Sequence, residues 1–188
     1  LAEPLAVSLH AVTIAGDVAG KRCLVLGAGP IGLLAVAALL HRGAASVDVT
    51  DVHPEPLERA KALGADRTIL VTEGAPEANA YDVVLECSGA PVSLSSGVKA
   101  ARPAGIIVQV AILPDAEIPV NLASLVAKEI QLRGTQRFDA EIDEAIELLA
   151  EDPRFDAVIT QSLPAADAVN AFATAKDSSR SAKVLLEL

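Results

Sequence analysis

Short apolar runs alternate with stretches of helical length or spacing along almost the whole chain. Six runs predict strands, at residues 23–26, 47–52, 68–71, 83–87, 106–112 and 130–132. The stretches around them predict helices, at residues 4–14, 31–40, 54–63, 92–101, 122–128 and 141–150. Continuous apolar strands separated by helices are typical of a parallel sheet whose two faces are both covered. The pattern therefore predicts an α/β fold, a doubly wound parallel sheet of six strands with helices on both faces.

The chain beyond Pro153 is less regular. It suggests a short strand at 158–159, a helix at 164–175 and a last strand at 183–186. We interpret the whole of 1–188 as one domain, with a tail at about 163–188.

A glycine-rich turn stands between the first predicted strand and the helix that follows it: Gly27-Ala28-Gly29-Pro30-Ile31-Gly32. In this setting the pattern is typical of a dinucleotide-binding Rossmann fold. Gly27 permits the tight turn, Gly29 lets a pyrophosphate approach the backbone, and Gly32 lets the helix pack on the strand. Pro30 and Ile31 open the helix, whose N-terminus offers free N–H groups to phosphates. A purely structural turn is the alternative.

Asp51 closes the second predicted strand, 19 residues beyond Gly32. This is close to the ~20 residues expected for the carboxylate that binds the adenosine ribose. Such a carboxylate repels a 2′-phosphate, and no arginine follows at once, so the sequence favours NAD over NADP. Asp48 is a rival but lies within the strand. The alternative for Asp51 is an N-cap of the helix that begins at Pro54.

Composition narrows the class of protein. The 188 residues carry 15 basic and 25 acidic side chains, a formal charge of −10 that argues against nucleic acid and anionic membrane surfaces as partners. No apolar run reaches the ~20 residues of a membrane span. Cys23 and Cys87 are predicted at opposite ends of neighbouring strands, so we expect free thiols and a cytoplasmic protein. The chain has no methionine and begins at Leu1, which suggests a piece of a longer polypeptide.

Several segments together resemble the zinc-containing medium-chain dehydrogenases, in particular their polyol branch, which includes sorbitol dehydrogenases and L-idonate 5-dehydrogenases. The resemblance runs from Glu3 to nearly the end of the chain. It is carried by Glu3-Pro4-Leu5-Ala6-Val7-Ser8-Leu9-His10-Ala11, the glycine-rich turn, Thr50-Asp51, Leu63-Gly64-Ala65-Asp66 and Glu86-Cys87-Ser88-Gly89-Ala90.

The resemblance implies an enzyme that moves a hydride from a secondary alcohol, a small polyol or sugar acid, to NAD, with NADP possible. Zinc belongs to the complete enzyme, and its main ligands lie in an N-terminal catalytic domain, the expected partner of this cofactor domain. The resemblance implies that the tail at about 163–188 packs on that domain, so its final strand is expected to lack its sheet partner here. Glu3 matches a glutamate beside the zinc and substrate, as an exchangeable or indirect ligand. Arg137 resembles an arginine that touches substrate.

The resemblance also implies two segments beside the nicotinamide. Val110-Ala111-Ile112 matches one and Thr135 begins the other. Cys87 and Ser88 are predicted at the carboxyl end of their strand, where they line the cofactor cleft. Pro56 stands where sorbitol dehydrogenases carry an arginine near the adenosine, and Ala111 replaces a usual glycine.

Assembly and alternative functions stay open at this level. The resemblance implies a homodimer or homotetramer formed through the strand at 130–132. A non-catalytic NAD(H)-sensing module would carry the same glycine turn. A methyltransferase usually has an acidic residue before the first glycine, whereas Leu26 stands here. His10 lies on the helix face of Glu3, either as a packed residue or as a metal ligand. The isolated chain is expected to bind cofactor without turning over substrate.

Overall fold

The computed structural model describes residues 1–117 and 122–188. The strands are β1 (Arg22–Leu26), β2 (Ser46–Asp51), β3 (Arg67–Leu70), β4 (Tyr81–Glu86), β5 (Ala101–Gln109), β6 (Gln131–Gly134), β7 (Ile159–Pro164) and β8 (Lys183–Glu187). The α-helices are α1 (Ala2–Ala15), α2 (Pro30–His41), α3 (Pro54–Ala62), α4 (Pro91–Ala100), α5 (Leu122–Ala127), α6 (Ile142–Glu151) and α7 (Ala168–Ala175). Short 3-10 turns lie at Pro153–Val158 and Ala165–Asp167.

Six strands form one parallel sheet in the order β3-β2-β1-β4-β5-β6. Leu26 pairs with Thr50 on one side and with Glu86 on the other. Glu86 pairs in turn with Gln109, and Gln109 with Gly134. The carboxyl ends of five strands therefore meet at one edge of the sheet. The predicted doubly wound fold with six strands is confirmed.

Helices cover both faces of this sheet. On one face α1, α2, α3 and α6 pack over side chains such as Val25, Val49 and Leu85. On the other face α4 and α5 cover a smaller cluster around Leu24 and Ile107. Helix α2 packs against β1 and β2 and is flanked by α1 and the 3-10 turn at Pro153–Val158, so it is buried on nearly every side. That position explains why its sequence is apolar rather than amphipathic.

Two predicted boundaries and one pairing differ from the structure. Strand β5 begins at Ala101, where the pattern predicted the end of a helix, and its register against β4 shifts between Tyr81 and Val83. The strand ends at Gln109, so residues 110–112 follow it as a loop. The last strand, expected to lack a partner, pairs in parallel with β7 in a separate two-stranded sheet.

The two cysteines are free. Cys23 is fully buried near the start of β1, and burial raises the pKa of its thiol to about 12. Cys87 directly follows β4 at the opposite end of the neighbouring strand. None of the helices in the described residues is long and apolar enough to cross a membrane.

Candidate functional site

A cavity of about 520 Å³ opens at the carboxyl edge of the sheet, above the end of β1. Its walls come from the loops that follow β1, β2, β3 and β4, from α3 and α4, and from the turn after α7. The lining residues are Leu26, Gly27, Gly29, Thr50, Asp51, Val52, His53, Pro56, Val71, Cys87, Ser88, Ala90, Val92, Ser93, Ser96 and Ser178. In open α/β sheets, ligands bind in this crevice, where the strand order reverses.

The three glycines of the turn meet three different demands. Gly27 has a φ of +96°, and a Cβ there would lie 2.8 Å from the Ser88 Cα. A Cβ on Gly32 would lie 1.9 Å from the Gly27 carbonyl oxygen, so only glycine allows α2 to start so close to β1. Gly29 has no heavy atom within 4 Å of an added Cβ and lines the cavity. Its missing side chain leaves space for a ligand rather than for the protein.

Asp51 ties the end of β2 to the glycine turn. Its Oδ2 accepts a hydrogen bond from the Ala28 amide at 2.7 Å, and its Oδ1 accepts one from the His53 amide at 2.9 Å. The N-cap of α3 is His53, and no side chain caps that helix. Asp51 is therefore not the N-cap that the sequence left as an alternative. An ionised carboxylate has about four acceptor sites, so Asp51 keeps capacity for two ribose hydroxyls at the cavity wall.

Asp48, the rival carboxylate, is occupied elsewhere. Its Oδ2 accepts a hydrogen bond of 2.6 Å from the Tyr81 hydroxyl, and both side chains are buried. Burial and this hydrogen bond raise the pKa of the Tyr81 phenol. The contact joins β2 to β4 across β1. Of the two aspartates, only Asp51 therefore lines the cavity at the carboxyl edge.

Glu86 organises the loop after β4 and was not among the predicted site residues. Its carboxylate is fully buried. One oxygen accepts hydrogen bonds from the Ser88 amide and the Ser88 hydroxyl, and the other accepts from the Gly89 amide at 3.2 Å and the Gln109 side-chain amide at 2.6 Å. A carboxylate at the end of an apolar strand, followed by small residues, is the signal that could have found it.

The residues predicted at the end of β4 line the cavity. Cys87 and Ser88 both face it. Burial, with a smaller contribution from the Glu86 charge, raises the pKa of the Cys87 thiol. The thiol is therefore a neutral, weakly polar wall group. The Ser88 hydroxyl lies 2.8 Å from the Ser93 hydroxyl of α4.

The two segments that the resemblance assigned to the nicotinamide lie beside this cavity rather than among its lining residues. The amides of Val110 and Ala111 both donate to the Glu86 carbonyl at 2.9 Å. Ile112 is 88% exposed. The Thr135 amide donates to the Gln109 carbonyl at 3.2 Å. The Thr135 hydroxyl is buried and has no hydrogen-bond partner in the described part of the chain.

Arg137 is exposed and has a φ of +52°, an uncommon value for a residue with a side chain. It follows the β6 edge and lines no part of the cavity. Pro30, Ile31 and Gly32 also stand behind the cavity wall, as the first residues of α2.

Glu3 is exposed in the first turn of α1. The Ser8 hydroxyl donates to the Ile31 carbonyl at 3.1 Å, while Val12 and Arg42 line one small cavity near the other ends of the two helices. Helices α1 and α2 therefore run in the same direction. This places Glu3 at the carboxyl edge of the sheet, outside the cavity.

His10 is a packing residue in this structure. Its Nδ1 lies 2.9 Å from Glu141 Oε1, and both side chains are largely buried. Burial acts to raise the pKa of Glu141, but hydrogen bonds from His10 and the Asp139 amide outweigh it and lower the pKa to about 2. Within residues 1–117 and 122–188, no three His, Cys, Asp or Glu side chains form a group that could hold a metal ion.

Comparisons with known proteins identify relatives that match almost the whole chain. Residues 30–151 match the family of zinc-binding dehydrogenases. The chain is 37% identical to L-idonate 5-dehydrogenase (NAD(P)(+)) of Escherichia coli K12 over 195 residues, covering 98% of this chain and 55% of that protein. It is 34% identical to sorbitol dehydrogenase of Gallus gallus over 187 residues, covering 94% and 52% respectively.

The fold matches as well. The crystal structure of L-idonate 5-dehydrogenase from Escherichia coli K-12 superposes with a TM-score of 0.93 at 34% identity, over all of this chain and 56% of that one. The chain thus spans about half the length of the relatives it matches. The family match covers well over half of the present chain and includes the helix that opens at the glycine turn. We conclude that the chain belongs to the zinc-binding dehydrogenase family.

Proposed function

We propose that this chain is the cofactor-binding part of an NAD-dependent polyol dehydrogenase of the L-idonate 5-dehydrogenase type. The observation that carries the proposal is the carboxylate of Asp51, which is hydrogen-bonded to the glycine turn at 2.7 Å on the wall of a 520 Å³ cavity. Such a carboxylate beside such a turn presents acceptors for a sugar and amides for a diphosphate in one crevice.

Each part of the cofactor has a place in this proposal. The adenosine ribose would bind Asp51, and the diphosphate would lie over Gly29 at the N-terminus of α2. The nicotinamide would extend past Cys87 and Ser88 toward the loop 110–112 and Thr135. When bound, the cofactor supplies the acceptor for a hydride, while the residues of this chain hold and orient it.

The same wall favours NAD over NADP. A 2′-phosphate would stand next to the Asp51 carboxylate, and charges of like sign repel each other. None of the described residues that line the cavity is a lysine or an arginine that could neutralise the phosphate. Pro56 lines this wall, at the position where the resemblance places an arginine of sorbitol dehydrogenases. We expect NADP to bind more weakly than NAD, but measurably.

The alcohol would be oxidised where Glu3, Arg137 and the nicotinamide meet in the complete enzyme. The main zinc ligands of that enzyme would come from the part of the relatives' length that this chain does not span, and Glu3 would serve only as an additional or indirect ligand. The substrate class is a small polyol or sugar acid. Two free cysteines suit a reducing cytoplasm.

Self-association is part of the proposal. Among the residues that the structure describes, β6 is the last strand of the sheet and has no partner on its outer side, and Leu132 is 44% exposed. Such an edge invites pairing with another chain. A second copy joined edge to edge would give a homodimer, or a homotetramer of two such pairs. We expect sedimentation equilibrium to show a dimer at micromolar concentration. A monomer up to high protein concentration would contradict this part of the proposal.

The cofactor assignment is tested by isothermal titration calorimetry of the folded chain with NAD and with NADP. We expect saturable binding of NAD and about tenfold weaker binding of NADP, the size of one unfavourable contact of about 1.4 kcal/mol. No heat from either dinucleotide, in a sample shown to be folded by circular dichroism, would remove the proposed function.

A further inference from the structure

A hydrogen-bonded pair of side chains joins the carboxyl ends of β4 and β5. Gln109 Nε2 donates to Glu86 Oε2 at 2.6 Å and to the Ala111 carbonyl at 2.9 Å. Glu86 is fully buried, and its other partners are the Ser88 amide, the Ser88 hydroxyl and the Gly89 amide. All of these partners donate, so both oxygens of the carboxyl group have hydrogen-bond partners.

This pattern fixes the orientation of the Gln109 amide. Both hydrogens of Nε2 point at acceptors, one on Glu86 and one on Ala111. Turning the amide over would place Oε1 against two acceptors, which costs more than leaving Oε1 alone. Among the described residues, Gln109 Oε1 and the Thr135 hydroxyl are both buried without a hydrogen-bond partner. The Thr135 amide donates to the Gln109 carbonyl.

The pair controls two backbone segments at once. Through Glu86 it holds the turn at Ser88 and Gly89, and through Gln109 it holds the loop at Ala111. These segments touch, because a Cβ built on Gly89 would lie 3.2 Å from the Ile112 carbonyl oxygen and 3.5 Å from the Ala111 Cβ. Gly89 has a φ of +69°, which glycine adopts without steric cost. Because glycine also adopts many other conformations, the hydrogen bond from its amide to Glu86 helps to select this one.

We propose that Gln109, supported by Glu86, is a positioning residue that sets the loop 110–112 and the 88–89 turn at the nicotinamide end of the cofactor. This rests on the function proposed above. The side chain acts through the Ala111 backbone, and its effect is expected mainly at one end of the dinucleotide. Among the described residues no hydrogen bond joins Gln109 to the glycine turn or to Asp51, which hold the other end.

The experiment compares two ligands on the intact chain. ADP-ribose contains the adenosine, both phosphates and both riboses but no nicotinamide, whereas NAD contains all of these. Calorimetric titration of each ligand gives a ratio of affinities that reports the nicotinamide end alone. The test variant is Gln109→Met, which keeps the length of the side chain and removes its donor.

We expect wild-type protein to bind NAD more tightly than ADP-ribose. In Gln109→Met the affinity for NAD should fall about tenfold, the scale of one hydrogen bond, while that for ADP-ribose changes less than twofold. The matched control is Gln131→Met, on exposed β6, where Gln131 bonds only Arg133 among the described contacts. It should leave both affinities unchanged.

The outcomes separate this inference from the proposed function. A folded wild-type chain that binds neither ligand removes the proposed function itself. Equal binding of NAD and ADP-ribose by the wild type overturns the positioning role, and so does a Gln109→Met variant whose ratio of affinities is unchanged. Should Gln109→Met fail to fold, Gln109→Leu, which has a similar volume, adds no charge beside Glu86 and cannot donate to Ala111, is judged by the same ratio.

Discussion

Replacing Gly32 by alanine is expected to lower the free energy of unfolding by about 3 kcal/mol and to abolish dinucleotide binding with it. The new Cβ would lie 1.9 Å from the Gly27 carbonyl oxygen, far inside the 3.0 Å that real Cβ contacts respect. The obstacle is backbone, and Gly27 cannot retreat, because its amide donates to the Thr50 carbonyl at 2.8 Å. Overpacking of this kind costs about 1–3 kcal/mol or more.

Urea unfolding followed by circular dichroism measures this loss. The matched control is Gly29→Ala in the same turn, where an added Cβ meets no heavy atom within 4 Å and φ is −68°. We expect the free energy of unfolding of this control to lie within about 0.5 kcal/mol of the wild-type value. Its Cβ would occupy the space assigned to the diphosphate, so NAD binding should nevertheless be lost. If Gly32→Ala is as stable as wild type, the close approach of α2 to β1 is wrong.

The second large effect is expected for Asp51→Ala, which should weaken NAD binding about 100-fold. The substitution removes the acceptors proposed for the ribose hydroxyls and leaves the Ala28 amide of the glycine turn without its partner at 2.7 Å. Hydrogen bonds to charged groups contribute about 1.5–3 kcal/mol, and 2.7 kcal/mol corresponds to the expected change. Affinity for NADP should fall less, because the repulsion of the 2′-phosphate disappears at the same time.

Calorimetry with both dinucleotides measures the change and the ratio. Asp17→Ala is the control, since Asp17 also accepts from a backbone amide two residues ahead, Ala19 at 3.0 Å, but stands in an exposed turn remote from the cavity. Asp51→Asn separates charge from hydrogen bonding, because an amide oxygen still accepts. Unchanged NAD affinity in Asp51→Ala, or a parallel loss for both dinucleotides, would contradict the assigned role.

The fold was predictable because its signals are local and repeated. The central strands of the large sheet are marked by apolar runs, and β1 and β2 are marked at their carboxyl ends by Gly27 and Asp51. The prediction of a doubly wound sheet followed from the handedness of the crossovers. Boundaries were less accurate where a strand continues through unusual residues, as β5 does from Ala101 with Pro103 and Gly105 inside it.

The contacts that shape the site were not predictable in the same way. Whether Asp51 reaches Ala28 or caps α3 depends on a side-chain rotamer, and whether Gln109 meets Glu86 depends on the register of β4 against β5. Neither is encoded in a local pattern. The pairing of β7 with β8 joins segments about 20 residues apart in the sequence, with α7 between them. Long-range pairings of this kind emerge only from the packed molecule.

The double attachment of Asp51 bears on how cofactor preference can change in this protein. The same carboxylate that would exclude a phosphorylated sugar also fastens the loop that receives the diphosphate, through Ala28. A substitution that admits NADP by removing this acceptor therefore loosens the anchor of both dinucleotides. A change of preference has to keep an acceptor for the Ala28 amide, as Asp51→Asn would, and also has to supply a cation for the 2′-phosphate, which the described lining residues lack. A full change of cofactor is therefore a coupled, multi-residue step.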